Sequence, residues 1–371
     1  MKKMIIMGIL LLLVLSGAYA DSLSIDTEHF DARVAGLGTA YTALADDSNA
    51  LYLNPAGLRR QYGNTMSIRL DIQDSINGDI LSGEPMTGIF ENPELEGEFL
   101  YTSRNWGIAA YSKYFMDIET TDEEYLFNVG KFNSLVFGLS TGLGPISLGA
   151  NIKATKYDYK NNPVEFPKEE PISLIIPFIQ EVILNDYNSS DPDENVSMGV
   201  GALLDIGNFS LGVYSDQFLD FMYGDDSEIK LDLDNIVKGL DVGIAYQSDN
   251  YDKFGNYRVF QFTLAADVHD LGDDDNRIFA MGSETNLRLF EYMQLAIRLG
   301  YQQEIEEIDD LLFGISMVEG DYSVGIGAIL PFMKFDAAAT IPAEAIIQMI
   351  DSEDSYTGDR IAAQLTFGFA L

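Results

Sequence analysis

Few residues in this chain could do chemistry. It has no cysteine and two histidines, His29 and His269. Asp270 follows His269, a pairing able to orient an imidazole as a general base, but no serine stands in a nucleophile-elbow context. No His/Cys spacing suits zinc and no glycine-rich loop would cradle a phosphate. The acidic runs Asp191 to Glu194, Asp225-Asp226 and Asp273 to Asp275 offer oxygen ligands to calcium, yet none follows the EF-hand pattern. They read as solvated loops, and a solvent-facing His269 is the simpler reading. The expectation is a chain with no catalytic residues, no cofactor and no metal, and not an enzyme.

Charge and composition narrow the classes further. Against 22 Lys plus Arg stand 59 Asp plus Glu, a formal net charge of -37, which disfavours nucleic acid and anionic membrane faces as electrostatic partners. Such a load is compatible with disorder, but 47% hydrophobic and 12% aromatic residues predict a folded protein. Lys2 and Lys3, the apolar run Met4 to Leu15 and the small-residue site Ala18-Tyr19-Ala20 read as a cleaved signal peptide over residues 1–20, leaving Asp21 first. An apolar run of about a dozen residues is too short to span a bilayer as a helix. Export without cysteine excludes both a lipid-anchored terminus and a disulfide framework.

The elements that must position any site are strands. Beyond residue 63 apolar residues alternate with small or polar ones. Met66, Ile68, Leu70 and Ile72 oppose Ser67, Arg69, Asp71 and Gln73; Ile146, Leu148, Ala150 and Ile152 oppose Ser147, Gly149, Asn151 and Lys153. Met293 to Gln302 and the final segment Ile361 to Leu371 repeat the pattern. A soluble sandwich also alternates. Segment lengths near the roughly 9 to 11 residues of a tilted membrane strand, polar faces carrying Arg, Lys, Asn and Gln, and short turns alternating with long acidic connections favour a transmembrane barrel with a wet lumen. Tyrosines and Trp106 near strand ends suit interfacial girdles. Candidate strands fall at 64–73, 97–104, 105–116, 123–132, 134–141, 145–158, 195–206, 208–221, 239–248, 257–269, 277–289, 291–302, 309–318, 321–330, 332–341 and 360–371, sixteen in all. Short turns cannot be kept to one rim around 309–341 or before 145, so the expectation is an antiparallel all-β barrel of about 14 strands (14–16), closed so that no edge faces lipid.

Residues 21–62 differ. Val34, Leu37, Tyr41 and Leu44 recur at helical spacing, Asp46, Asp47 and Ser48 can cap a following turn, and Asn54-Pro55 ends it. A small helical N-terminal hatch inside the lumen is predicted. The motif Gly36-x-Gly38-x-Ala40-Tyr41-x-Ala43-x-Ala45-Asp46-Asp47, followed by Asn54-Pro55-Ala56-Gly57-Leu58, resembles the FadL-like outer-membrane superfamily of long-chain fatty acid transporters, aromatic hydrocarbon channels and PorV-type barrels. The usual terminal aromatic is replaced by Phe369-Ala370-Leu371. The resemblance implies a fourteen-stranded barrel in the outer membrane with a hatch, moving hydrophobic molecules inward and releasing them sideways through its wall. Implied partners are outer-membrane lipid, the barrel-assembly machinery and a hydrophobic small-molecule ligand; nucleic acid is excluded. The motif itself reads equally well as a shaper of the hatch turn.

Two apolar groups could meet such a ligand. Within the long connection 159–194, Ile172, Ile175, Ile176, Phe178 and Ile179 form a short apolar helix that must pack on something, either as a capture groove or against neighbouring loops. Phe218, Phe221 and Met222 cluster at one strand end. A carboxylate ligand would want a cation, and by parity Arg69, Lys153, Arg288 and Arg298 face inward; acidic neighbours such as Asp71 and Glu284 make internal salt bridging their simpler role. An outer-membrane hydrolase and a PorV-type scaffold bound to secretion-machinery proteins are the rival functions, and bound lipid against stoichiometric protein partners would separate transport from scaffolding.

Overall fold

The computed structural model describes residues 31–61, 64–76, 94–120, 124–159, 164–167, 194–222, 229–230, 233–248, 250–251, 258–273, 276–290, 293–305, 320–343, 346 and 361–370. Fourteen strands form the wall: β1 Thr65–Ile76, β2 Glu94–Ser103, β3 Trp106–Thr120, β4 Glu124–Leu143, β5 Ile146–Tyr159, β6 Glu194–Ile206, β7 Phe209–Met222, β8 Leu240–Gln247, β9 Arg258–His269, β10 Ile278–Phe290, β11 Met293–Glu304, β12 Asp321–Leu330, β13 Met333–Pro342 and β14 Ile361–Ala370. Each pairs antiparallel with its chain neighbour, and β14 returns to β1 with Phe369 opposite Ile68 and Leu365 opposite Ile72. The ladder therefore closes, as lipid requires of a spanning sheet. Short pieces at Val164–Pro167, Ile229–Lys230 and Asn250–Tyr251 extend the ladder at β4, β7 and β9.

The strand count corrects two of the sequence expectations. The segments 123–132 and 134–141 are one strand, β4, of 20 residues. Asn133 carries no turn; it stays in register with Ser112 of β3 and Lys156 of β5, and its side chain accepts a 2.6 Å hydrogen bond from the Ser112 hydroxyl. Segment 309–318 lies outside the described residues, and β11 pairs directly with β12, so no wall strand stands between them. With those two removed, the two-residue turns 104–105, 144–145, 207–208 and 331–332 all fall on one rim and the long connections 77–93, 160–193 and 343–360 on the other.

Alternation sets the faces. Leu135, Phe137, Leu139, Leu148, Ile152, Ile297, Leu299 and Ile326 all point outward and are exposed. An apolar band of this kind around a closed sheet is stable only against hydrocarbon. Ser67, Arg69, Asn151, Glu284, Arg298 and Thr366, on the opposite parity, are buried. They are not buried by water: residues 31–61 run through the interior, where Val34, Leu37, Tyr41, Leu44, Leu51 and Leu58 join wall residues Leu100, Tyr111, Phe132, Val136 and Leu203 in one apolar cluster. The lumen expected from the polar faces is thus, at the level of this segment, filled by a packed core.

Candidate functional site: the luminal hatch and its seat

Residues 31–61 consist of two single-turn helices, α1 Ala32–Ala35 and α2 Ala50–Leu53, and a 3-10 helix over Pro55–Arg60. None would be stable in isolation; caps and the wall hold them. The Asp31 carboxylate caps α1, accepting from the Arg33 and Val34 amides at 3.1 and 3.3 Å. Asn54 Oδ1 accepts from the Ala56 amide at 3.2 Å, and Pro55 occupies the first turn of the 3-10 helix, where its missing amide costs nothing. Asn54 Nδ2 also donates to the Thr42 carbonyl at 2.9 Å, tying the two halves of the segment together. A Cβ on Gly57 would lie 2.1 Å from the Ala45 carbonyl oxygen. In the Asn54-Pro55-Ala56-Gly57 motif, Asn54, Pro55 and Gly57 therefore build the hatch turn.

The wall receives this segment on glycines. Inward glycines stand opposite one another on adjacent strands at Gly107 and Gly138, Gly149 and Gly201, Gly212 and Gly243, and Gly282 and Gly300. A Cβ would lie 2.2 Å from the Ala56 amide nitrogen at Gly149, 2.5 Å from the Thr42 carbonyl oxygen at Gly212, 2.4 Å from the Leu37 carbonyl oxygen at Gly282 and 2.1 Å from the Gly38 nitrogen at Gly300. Hatch backbone thus lies where side chains would otherwise be. Gly38 needs its own lack of a Cβ twice over: φ is 60° and a Cβ would fall 2.6 Å from the Tyr301 amide nitrogen. Next to it, Thr39 holds φ 66°, a left-handed conformation costly for a β-branched residue. These glycine pairs were not singled out in the sequence, although a glycine recurring on the polar parity of consecutive strands is the signal that finds them.

Buried charges fasten the other side. Arg33 donates to Glu284 at 2.9 Å, to Asp46 at 2.8 Å and to Asp47 at 2.7 Å. Glu284 also accepts from Arg298 Nε at 2.6 Å, and Arg298 Nη1 reaches Asp336 at 2.7 Å. Lys334 Nζ lies 3.2 Å from Asp31 and 3.0 Å from Asp336. Arg69 contacts Asp31 at 3.2 Å and pairs with Glu98, which also accepts from the Tyr52 hydroxyl. Burial pushes the Asp31 carboxyl up, but Lys334, Arg69 and the Asn49 hydrogen bond outweigh it and hold it at about 2. Burial likewise opposes ionisation of Asp47, yet Arg33, Lys334 and the Tyr41 hydroxyl keep it well below the usual carboxylate range. On a third side, Asp267 accepts from the Tyr41 amide at 2.6 Å, and Gln247 donates to Asp46 at 2.9 Å.

At the short-turn rim Arg60 donates to the Ala43 carbonyl at 2.7 Å and pairs with Asp205, while Arg59 donates to the Ile146 carbonyl at 2.7 Å.

The other sequence candidates fall elsewhere. Arg298 is almost wholly buried between two carboxylates, the salt-bridging role, whereas Arg288 keeps inward parity at the short-turn end of β10 and is exposed. Phe218 sits at a bulge of the wall: Met198 pairs with Leu219 and Val200 with Ser215, so Gly199 alone faces Asp216, Gln217 and Phe218. The Gly199 amide donates to the Asn151 side chain at 3.0 Å. Phe221 and Met222 follow on β7. Ile172, Ile175, Ile176, Phe178 and Ile179 lie outside the described residues, as do residues 1–30. His269 contacts Asp241 at 3.3 Å, with Thr39 Oγ1 3.4 Å from its other ring nitrogen. Ser140 of Gly138-x-Ser140-x-Gly142 lies within β4 rather than at a strand-to-helix elbow.

No protein-family model matches the sequence, and no curated protein matches it. Among solved structures the fold is similar to the Pseudomonas putida toluene transporter TodX (TM-score 0.52, 10% identity, 94% of this chain and 99% of that one). It is also similar to the Ralstonia pickettii toluene transporter TbuX (TM-score 0.52, 11% identity, 93% and 99%) and to the CymD monoaromatic hydrocarbon channel (TM-score 0.50, 10% identity, 94% and 99%). At these identities the likeness is one of fold: this chain shares the closed antiparallel barrel of those structures.

Proposed function

We propose that this chain is an outer-membrane channel for hydrophobic small molecules, closed at rest by residues 31–61 and opened when that segment shifts in its seat. The observation that carries the reading is the seat itself. Among the described residues, wall and hatch meet through backbone recesses and buried ion pairs, with no continuous strand pairing between them, so the hatch is a separable part held in place by shape and charge. An apolar outer band, a closed ladder and a filled lumen together describe a membrane barrel that does not leak. The similar structures, two toluene transporters and a monoaromatic hydrocarbon channel, support apolar cargo.

Cargo is captured at the long-loop rim by the apolar segment containing Ile172, Ile175, Ile176, Phe178 and Ile179. It then reaches the bulge beside Phe218, where the register between β6 and β7 shifts, and leaves sideways there. The test is uptake of a hydrophobic tracer by cells that export the full chain to the outer membrane. Expression speeds uptake, and Ile176→Ser with Phe178→Ser slows it while leaving a folded barrel; uptake unchanged by expression refutes the reading.

A further inference from the structure

The hatch turns a sharp corner at Gly38 and Thr39, and the wall meets that corner with a histidine. Thr39 holds φ 66° and Asp270, the residue after His269, holds φ 50°; they are two of the three non-glycine residues with positive φ among those described. Such conformations persist where the surroundings impose them. One run of side-chain contacts joins the two: Asp241 Oδ1 lies 3.3 Å from His269 Nδ1, and His269 Nε2 lies 3.4 Å from Thr39 Oγ1. Two residues earlier on the inward face of β9, Asp267 accepts from the Tyr41 and Thr42 amides at 2.6 and 2.5 Å, so one strand holds the corner and the residues that follow it.

The protons available fix the state of the ring. Thr39 gives its one hydroxyl proton to the Gly38 carbonyl at 2.7 Å, so Oγ1 is left to accept from Nε2. Asp241 Oδ1 accepts from the Asp270 amide at 3.1 Å and, as a carboxylate oxygen, accepts from Nδ1 too. A neutral imidazole has one N–H and satisfies one of these oxygens; the imidazolium has two and satisfies both. Negative charge surrounds it. Asp241 comes from β8, Asp267 from β9 and Asp270 from the turn after it, with Asp273 further along that turn. Asp216 of β7 interacts with Asp241 and Asp270, and with Lys153 of β5. Arg277, before β10, is turned to the Leu271 carbonyl at 2.9 Å, and the hatch from Gly36 to Ala45 carries no charged residue.

We infer that His269 is a proton-operated latch on the hatch: the imidazolium ties Thr39 to Asp241 and holds the corner in its seat, and loss of one ring proton frees Thr39 and loosens residues 38–42. Both contacts are long, as suits a catch that one proton can release. The inference adds a regulating signal, ambient pH, to the gating reading above and rests on that reading for its effect on passage.

Two measurements on the full chain in detergent micelles test the latch without any transport. In a His29→Gln background His269 is the one histidine left, and 15N NMR of its ring reports the protons on both nitrogens. Hydrogen exchange of the peptide 38–45, corrected for the intrinsic pH dependence of exchange, reports the corner. Between about pH 5.5 and about pH 8.5, a range that brackets imidazole titration, the ring should pass from two N–H groups to one. Protection of the corner should fall about tenfold over the same interval, the effect of one charge-assisted hydrogen bond, while peptide 54–60 on the glycine seat keeps its protection. His269→Phe and, separately, Thr39→Ala should show the low protection at both pH values, each with its barrel shown to be folded by heat-shifted mobility on a gel. A ring that is neutral throughout, a corner whose protection ignores pH, or a pH response that survives His269→Phe each overturns the latch and leaves transport standing. Tracer uptake unchanged by expression refutes the transport reading and leaves the latch standing.

Discussion

The two ends of the hatch are held by different physics. Asp31 to Ala35 meets β1 and β10 to β14 largely through charge: Asp31, Arg33, Arg69, Glu284, Arg298, Lys334 and Asp336 form one buried network. Asn49 to Arg60 meets β3 to β7 largely through shape, in recesses left by Gly107, Gly138, Gly149 and Gly201 and on amide hydrogen bonds such as Asn151 Nδ2 to the Leu51 carbonyl at 2.8 Å. Buried ions are costly to desolvate and add little net stability, but they exact a large penalty when one partner is lost. They fix where a segment sits. A recess fixes how closely it sits, and fails as soon as any atom fills it.

The largest effect separating the two should come at Arg298. Its replacement by Ala leaves Glu284 and Asp336 buried with one cation fewer each, a loss of about 3–5 kcal/mol by precedent for broken buried pairs. Urea unfolding of the protein in detergent micelles, followed by the gel shift of the folded barrel, measures it. Next comes the recess. Gly300→Ala or Gly149→Ala puts a methyl onto hatch backbone, about 1–3 kcal/mol of overpacking that the hatch relieves by moving while the ladder stays intact. Gly368→Ala is the control, since its Cβ would lie 3.5 Å from the Lys334 Cβ, an ordinary contact. Planar-bilayer conductance should appear in the first two variants and stay absent in the third. Asn54→Ala removes the cap and the link to Thr42 for about 1–2 kcal/mol, read as earlier trypsin cleavage within the hatch.

The smallest effect lies at the long-loop rim, away from both seats. Burial, and then the neighbouring Asp241, push the Asp270 carboxyl from 3.8 up to about 6. A raised folded value means that its contribution to stability is full below about pH 3.8 and is lost as pH rises through about 6. Asp270→Asn should flatten the stability profile over that interval and slightly stabilise the protein at pH 7. Asn also tolerates the φ of 50° found there. A profile identical to that of the parent would contradict this assignment.

Much of the wall was legible because period two survives most tertiary detail: the parity read for Ser67 to Gln73, Ile146 to Lys153 and Met293 to Gln302 sorts the inward and outward residues whose side chains are described, except Tyr301, which has outward parity but is buried. Asn133 misled because a turn-favouring residue can sit in a long strand when a neighbour such as Ser112 satisfies it. The seat was less legible. An inward glycine looks the same in sequence whether it lines water or receives another backbone, and only the pairing of Gly149 with Gly201 or Gly282 with Gly300 across the ladder reveals the recess. Salt bridging at Arg298 was readable from Glu284 on the same face; the other cation on Glu284, Arg33 of the hatch, is 251 residues from it in the chain and has no local signature.

Conductance of the full chain against a variant lacking residues 31–61, reconstituted in the same planar bilayer, bears most directly on the hatch as the closing element. A silent parent and a large, steady pore in the deletion variant are expected. A parent that already conducts, or a correctly folded deletion variant that stays silent, would show that residues 31–61 are not what closes this barrel.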